Sequence, residues 1–211
     1  MASRRPQRRR DRPTRSERDT RLRVIGGEWR SRLLPVADRP GLRPTPNRVR
    51  ETLFNWLAPM LAGARCVDLF AGTGALGIEA LSRGAAHAVF VDSDRRAATA
   101  IEAALETLGA ADRGRVLVAD GTQAGERLAG ERADIVFVDP PFDAKLHAAA
   151  LAGLPSLIDA HSRIYVEYPA HEEAAINPLL AANYEILRQS RSAGVGYCLA
   201  RLRPAGDHGA S

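Results

Sequence analysis

The stretch Cys66-Val67-Asp68-Leu69-Phe70-Ala71-Gly72-Thr73-Gly74-Ala75-Leu76-Gly77 decides the fold of this chain. Its first five residues, 66–70, are apolar except for Asp68 and are few enough for a buried strand. The closely spaced glycines then permit a tight turn and a close approach of the backbone to another group. The residues from Gly72 to Arg83 complete a glycine-rich turn and a helix, whose first N–H groups point toward the turn. The stretch therefore predicts a strand–turn–helix unit with a binding loop at its centre.

The same alternation of strands and helices continues toward the C-terminus. Strictly alternating elements predict an α/β fold with a parallel, doubly wound sheet. The last two strands resemble a hairpin, so we expect an antiparallel edge. The predicted strands are 66–70, 87–91, 115–119, 135–138, 164–168, 184–188 and 195–203, and the predicted helices are 72–83, 95–108, 123–128 and 145–151.

A hairpin and a helix are predicted before the first strand of this series. The hairpin runs from Arg23 to Leu34, with Gly26-Gly27 supplying positive φ at its turn. In the helix, Thr45 is the expected N-cap and Pro46 the expected first residue. Its apolar residues recur at helical spacing and predict one buried face: Val49, Leu53, Trp56, Leu57 and Met60.

Composition divides the chain into four parts. Residues 1–20 hardly contain an apolar side chain and are expected to be a disordered, arginine-rich arm. Residues 21–60 hold the hairpin and helix, 61–204 form the α/β core, and 205–211 are expected to be a disordered tail.

The positive charge lies mostly at the N-terminus. The whole chain carries a formal charge of +5, whereas the ten arginines and three acids of residues 1–23 give that segment +7. Such a segment suits a polyanionic partner, although a solvated tail that aids solubility is the alternative.

Other features of the sequence exclude several classes of protein. No apolar run reaches the roughly 18 residues of a membrane span, and the basic N-terminus lacks the apolar core of a secretory signal. The two cysteines, Cys66 and Cys198, are expected to be buried thiols, and no Cys/His cluster has the spacing of metal ligands. We therefore expect a cytoplasmic protein with neither a metal nor a membrane partner.

Three acids at predicted strand ends indicate the ligand of the glycine loop. Gly72, Gly74 and Gly77 also fit a dinucleotide fingerprint, so the glycines by themselves leave a nicotinamide-dependent oxidoreductase open. Asp68 lies where the loop meets its ligand; a carboxylate there repels a pyrophosphate and suits the ammonium and sulfonium of S-adenosylmethionine. At the end of the second strand Asp92 can take both ribose hydroxyls, and the nearby Asp94 is a rival for that role.

The third acid has two open interpretations. Asp120 could accept a hydrogen bond from the adenine amine of the cofactor, or it could cap the helix predicted after it. Phe70, at the start of the loop, is expected to lie beside the cofactor.

Asp139-Pro140-Pro141-Phe142 follows the predicted strand 135–138 and carries the groups expected for the reaction. In open α/β sheets, ligands bind outside the carboxyl ends of the strands. Asp139 and the Pro140 carbonyl offer acceptors only, and Phe142 offers a flat apolar ring. These groups suit a planar base with an exocyclic amine, whereas a rigid turn without a binding role is the structural alternative.

These motifs resemble those of a known family. The glycine loop, Asp92 and the Asp-Pro-Pro-Phe motif look like the class I amino-methyltransferases, which act on exocyclic amines of bases. More narrowly, Arg43-Pro44-Thr45, the segment 48–57 and the segment 68–83 are similar to the bacterial family that methylates guanine N2 in 16S ribosomal RNA. The similarity extends from about Leu22 to Leu202, and residues 1–20 have no counterpart in it.

The resemblance implies a fold, a cofactor and a substrate. It implies a seven-stranded Rossmann-like sheet, S-adenosylmethionine, and 16S ribosomal RNA of the small subunit as partner of a monomeric enzyme, with an adenine-N6 DNA or RNA methyltransferase as the alternative. It also implies that Thr45 lies near the cofactor. The residues expected to contact RNA on this basis are Arg48, Arg50, Asn55 and Pro141. Because of its charge, and not because of the resemblance, the arm is expected to contact RNA through Arg4, Arg5, Arg8, Arg9 and Arg10.

Overall fold

The computed structural model describes residues 21–36, 45–141 and 144–204. The strands are β1 Arg21–Arg23, β2 Leu33–Pro35, β3 Arg65–Asp68, β4 His87–Asp92, β5 Gly114–Val118, β6 Ile135–Val138, β7 Arg163–Pro169, β8 Tyr184–Ser192 and β9 Val195–Leu202. The α-helices are α1 Asn47–Leu57, α2 Ala75–Ser82, α3 Arg95–Leu108, α4 Ala124–Arg127, α5 Ala144–Gly153 and α6 Glu173–Asn183.

The core of the fold is one seven-stranded sheet with the order β5-β4-β3-β6-β7-β9-β8. Strands β3 to β7 pair in parallel, whereas β9 is antiparallel to both β7 and β8. This arrangement confirms the predicted Rossmann-like α/β fold with its antiparallel edge. The chain order reverses between β3 and β6, which is the point where doubly wound sheets bind their ligands.

Helices cover both faces of the sheet and thereby bury its central strands on both sides. One apolar cluster combines Phe54 of α1 with Phe90, Phe137, Tyr165 and residues of α2 and α3. The other cluster combines Val136 and Val166 with residues of α5 and α6. Since side chains alternate along a strand, Asp68 and Asp139 lie on the face that α1 covers.

The helix α1 joins the N-terminal region to the core. Its buried face includes Val49, Leu53, Phe54 and Leu57, and the Phe54 ring lies 6.1 Å from the ring of Phe137. The sequence predicted the N-cap and the first residue of this helix one residue too early. The helix begins at Asn47 with Pro46 as its N-cap, because the Thr45 side chain bonds elsewhere.

The N-terminal hairpin is confirmed, but β1 lies two residues before the predicted strand 23–25, and β2 is shorter than the predicted strand 29–34. β1 and β2 pair over three residues each, and the connection between them wraps around the end of α2. There the N–H groups of Ile25 and Gly26 each donate to the Glu79 carboxylate at 2.8 Å, and the Trp29 N–H donates to Ser82 Oγ at 3.0 Å. These contacts with α2 draw the residues around Gly26 away from a regular ladder.

One helix lacked a prediction. α6 spans Glu173–Asn183 and contains Pro178, which ordinarily argues against a helix interior. Packing stabilises this helix despite the proline, because Ile176 and Leu180 are fully buried against the sheet. In the described residues, no helix is long and apolar enough to cross a membrane.

Candidate active site

The glycine loop lies at the carboxyl end of β3, as predicted. Gly72 and Gly74 have φ values of +53° and +75°, which is the left-handed region that glycine tolerates best. The Asp68 side chain is 2% exposed beneath the loop, and its Oδ2 accepts from the Gly77 N–H at 3.2 Å. Asp68 therefore joins the strand end to the first turn of α2.

The Asp68 carboxyl has an unusual electrostatic environment. Burial raises its pKa from 3.8 to about 8, and the charges of Asp139 and Asp92 contribute to the same rise. The Gly77 N–H opposes it. A buried carboxyl without a cation beside it binds a proton readily, and a cationic ligand would favour its ionised form.

The Asp92 carboxylate fastens the glycine loop to β4. Its Oδ2 accepts from the Gly72 N–H at 2.7 Å, and its Oδ1 accepts from the Asp94 N–H at 2.8 Å. Each carboxylate oxygen has a second lone pair, so these bonds are compatible with the predicted contact to ribose. Asp94 instead caps α3, where its Oδ1 accepts from the Arg96 N–H.

Asp120 has the capping role that was one of its two interpretations. Its Oδ1 accepts from both the N–H and the hydroxyl of Thr122, at 2.9 and 2.8 Å. The side chain is exposed, and the predicted contact with an adenine amine stays a prediction. Phe70 is half-buried and packs against the apolar cluster of the α5 face.

Asp139 follows β6 at the same edge of the sheet. The Thr45 hydroxyl, 94 residues earlier in the chain, donates to Asp139 Oδ2 at 3.1 Å. Burial raises the pKa of the Asp139 carboxyl, and the hydrogen bond from Thr45 opposes that rise. Pro140 is buried and Pro141 exposed. The structure thus places one held carboxylate beside a proline carbonyl, close to Asp68.

The predicted RNA contacts on α1 divide into two groups. Arg48 and Asn55 are exposed and lie seven residues apart, so they share one side of the helix. Arg50 is 2% exposed, and this contradicts its predicted contact with RNA. Its guanidinium donates to the Arg23 carbonyl and to Asn47 Oδ1, and it lies 3.7 Å from the Glu79 carboxylate.

Arg50 is therefore a packing residue that links α1 to the hairpin and to α2. The sequence around Arg50 does not reveal this packing role, because helical periodicity does not show which other elements a side chain of the helix faces. Phe142 and the arm residues Arg4, Arg5, Arg8, Arg9 and Arg10 lie outside the described residues, so their predicted roles stay predictions.

Glu167 is a site residue that the sequence interpretation missed. It lies near the end of β7, is 3% exposed, and its Oε2 accepts from the Tyr165 hydroxyl at 2.6 Å. Burial and the charge of Asp139 raise the pKa of the Glu167 carboxyl. An acid at the end of the apolar run Ile164–Tyr168, the strand that follows Asp139, was the available signal.

The described residues contain no cluster of three or more His, Cys, Asp or Glu side chains that could hold a metal ion. The carboxylates at the sheet edge are Asp68, Asp92, Asp139 and Glu167. They form an acidic site on one face of the sheet, in which the carboxyls with raised pKa values bind protons until a cationic ligand or a hydrogen-bond donor favours their ionised forms.

Comparison with known proteins relates this geometry to a family. The family model described as "Conserved hypothetical protein 95" matches residues 22–200. The chain is 41% identical over 191 residues to "Ribosomal RNA small subunit methyltransferase D" of Escherichia coli (strain K12), covering 88% of this chain and 92% of that protein. A protein of the same name from Haemophilus influenzae is 36% identical over 182 residues, with 84% and 92% covered.

A solved structure has the same architecture. "Putative methyltransferase yhhF from Escherichia coli" superposes with a TM-score of 0.75 at 41% identity. The match covers 86% of this chain and 98% of that one. The similarity therefore includes the glycine loop, α1 and the strand ends that carry the acids.

Proposed function

This chain belongs to the conserved hypothetical protein 95 family, and from that premise we propose that it methylates the exocyclic N2 amine of a guanine in 16S ribosomal RNA. At the coarser level it is an enzyme of the methyltransferase class, as its curated relatives are. The single observation that carries the finer proposal is Asp139, a carboxylate held by Thr45 next to the Pro140 carbonyl at a ligand-binding strand end.

The cofactor that fits the glycine loop is S-adenosylmethionine. Asp68 is buried and has a raised pKa, which suits a ligand that brings positive charge. A pyrophosphate would instead place negative charge beside Asp92 and would disfavour ionisation of Asp68 still further, and this argues against a nicotinamide cofactor. When bound, S-adenosylmethionine supplies a methyl group activated by a sulfonium.

The acceptor groups of the chain would orient the amine. The guanine N2 lone pair is delocalised into the ring, so the free amine is a poor nucleophile. Asp139 and the Pro140 carbonyl can each accept one N–H, which aims the lone pair along the direction of attack and stabilises the positive charge that develops on nitrogen. Asp139 could also take the proton that the amine nitrogen gives up once it is methylated.

Two features support RNA as the substrate. The curated relatives carry the name of ribosomal RNA methyltransferases, and the exposed Arg48 and Asn55 lie on α1, which begins two residues after Thr45, the residue that contacts Asp139. A paired base cannot enter a pocket at a sheet edge, so the target guanine should be unpaired or flipped out, with Phe142 stacking on it. Work on ribosomal RNA is in keeping with a cytoplasmic location.

The direct test uses Asp139→Ala. We expect loss of methyl transfer to small ribosomal subunits, with S-adenosylhomocysteine binding retained, because Asp139 acts on the amine. The exposed Asp112→Ala is the matched control and should behave as wild type. Near-normal methylation by Asp139→Ala would overturn the assignment.

The product identifies the base. Methylated RNA is digested to nucleosides, and N2-methylguanosine is separated from N6-methyladenosine by mass spectrometry. The proposal requires N2-methylguanosine from 16S ribosomal RNA. Label in N6-methyladenosine, or in DNA supplied in parallel, would favour the adenine-N6 alternative.

A further inference from the structure

Glu167 and Asp139 are neighbours across two parallel strands. Val138 of β6 pairs with Val166 of β7, so the next position on each strand brings Asp139 beside Glu167. Phe137 and Tyr165 also pair, and their rings lie 6.4 Å apart on one face. Side chains alternate with period two, so both carboxylates lie on that same face, on strands about 4.8 Å apart.

One direct hydrogen bond holds the Glu167 carboxylate, and two further contacts fix the tyrosine ring and the backbone around it. The Tyr165 hydroxyl donates to Oε2 at 2.6 Å, and the Tyr165 ring packs against the ring of Tyr197, which pairs with Glu167 across β9. The backbone carbonyl of Glu167 lies 2.7 Å from His147 Nε2. Glu167 is thus a fixed group on the floor of the acceptor site.

Folding alone does not account for a carboxyl in this position. Among the hydrogen bonds of the described residues, Tyr165 supplies the one donor to this side chain, and the nearest charge that acts on it is the like charge of Asp139. A buried acid with one neutral donor and a like charge beside it opposes folding, and acids perturbed in this way cluster at ligand-binding sites. The second oxygen of Glu167 therefore has acceptor capacity to offer.

The Watson–Crick edge of guanine matches two adjacent acceptors. Guanine presents its N2 amine and its N1–H side by side, and both are donors. Adenine and 2-aminopurine carry an amine next to a bare N1, which is an acceptor and would face the Glu167 carboxylate with lone pair against lone pair. Flipped bases are commonly read by hydrogen bonds along this edge.

We propose that Glu167 determines the specificity for guanine, by accepting the N1–H of the target base while Asp139 accepts an N–H of its N2 amine. This inference rests on the proposed function and extends it to the choice of base. Tyr165 is the positioning residue, since its hydroxyl fixes the orientation of the Glu167 carboxylate.

The test exchanges the hydrogen-bonding partner at N1. Substrates carry guanine, 2-aminopurine or 2,6-diaminopurine at the position methylated in natural 16S ribosomal RNA; all three bases keep the N2 amine, and the last two have a bare N1. At pH 9, where the Glu167 carboxyl is ionised despite its raised pKa, the wild-type enzyme should prefer guanine to 2-aminopurine by at least about 100-fold in kcat/KM, because a site built for a donor rejects an analogue that lacks it.

Glu167→Gln should lower that preference by at least about tenfold. Its amide offers an N–H to the bare N1, so the rate on 2-aminopurine should rise in absolute terms, which a purely structural role would not produce. The exposed Glu126→Gln is the matched control and should keep the wild-type ratio.

The outcomes separate the two proposals. If the wild-type enzyme forms no N2-methylguanosine, the proposed function fails. If it methylates guanine but accepts 2-aminopurine equally well, the inference about Glu167 is wrong, whatever the variants do. An unchanged ratio in a folded Glu167→Gln enzyme would also overturn it.

Discussion

The hydrogen bond from Thr45 to Asp139 joins the start of α1 to the strand end that carries the proposed chemistry. Thr45→Val keeps the shape of the side chain and removes only the hydroxyl. Thr45 is 6% exposed, so water does not readily replace the missing donor. We expect Asp139 to lose both its fixed orientation and the group that lowers its pKa.

The length of the Thr45–Asp139 hydrogen bond indicates how much activity the Thr45→Val variant should lose. A hydrogen bond to a charged group contributes about 1.5–3 kcal/mol. At 3.1 Å this one is longer than the 2.7–2.9 Å typical of short charge-assisted bonds, so the lower part of that range applies, about 1.5–2 kcal/mol. If the transition state loses this contribution entirely, kcat should decrease by roughly 10- to 30-fold.

The pH profile supplies a second readout. Burial already raises the pKa of Asp139, and loss of the Thr45 donor should raise it further. Because the ionised carboxylate is the acceptor, the acidic limb of kcat should move to higher pH, and part of the lost activity should return on the alkaline side.

The assay follows transfer of a labelled methyl group to small ribosomal subunits between pH 5.5 and 9. Thr45→Ser keeps the hydroxyl and serves as the control, with activity near that of wild type. A Thr45→Val enzyme within twofold of wild type at pH 7, with an unmoved acidic limb, would refute the reasoning.

Other parts of the structure give three further predictions. The pKa of Asp68 is about 8 in the free protein, so binding of S-adenosylhomocysteine, which carries an ammonium, should release a proton from this carboxyl at pH 7. Calorimetry in buffers of different ionisation enthalpy should show this release, and Asp68→Asn should abolish it. Wild-type binding without proton release would contradict the prediction. Glu79→Gln removes the buried charge that Arg50, Arg83 and two partly buried N–H groups share, so urea unfolding should show a loss of about 3–5 kcal/mol. The exposed Glu102→Gln should change stability by less than about 0.5 kcal/mol, and an equal effect of the two would exclude the network. Deletion of residues 1–20 should reduce the salt dependence of RNA affinity by about one unit of log–log slope for each phosphate that the arm neutralises, and an unchanged slope would show that the segment is not an RNA arm.

Much of the fold could be predicted because its signals are local. The helix Arg95–Leu108 and the strand Ile135–Val138 begin and end where their apolar patterns do. α6 was not predicted because Pro178 interrupts the pattern of helix-forming residues. The helix forms nevertheless because its apolar residues on either side of Pro178 are buried. The short strands of the hairpin were misjudged for a related reason, since Glu79 draws their connection toward α2.

The candidate site was predictable at the positions where a single motif carries both the backbone geometry and the chemistry. Asp68, Asp92 and Asp139 each follow an apolar strand, and parallel strands bring their carboxyl ends to one edge. That rule needs only the order of elements along the chain. The sequence by itself therefore determined the fold class, the edge where the candidate site lies and three of the acids at that edge.

The tertiary structure alone decided which side chains meet there. Thr45 reaches Asp139 across 94 residues, Arg50 is buried against Glu79 on another helix, and the pairing of β6 with β7 places Glu167 beside Asp139. Such contacts depend on helix packing and strand register, which are set by the whole core and leave no pattern within one segment. The start of α1 and the end of β7 complete the site for that reason, although the glycine loop and the Asp-Pro-Pro-Phe motif first marked it in the sequence.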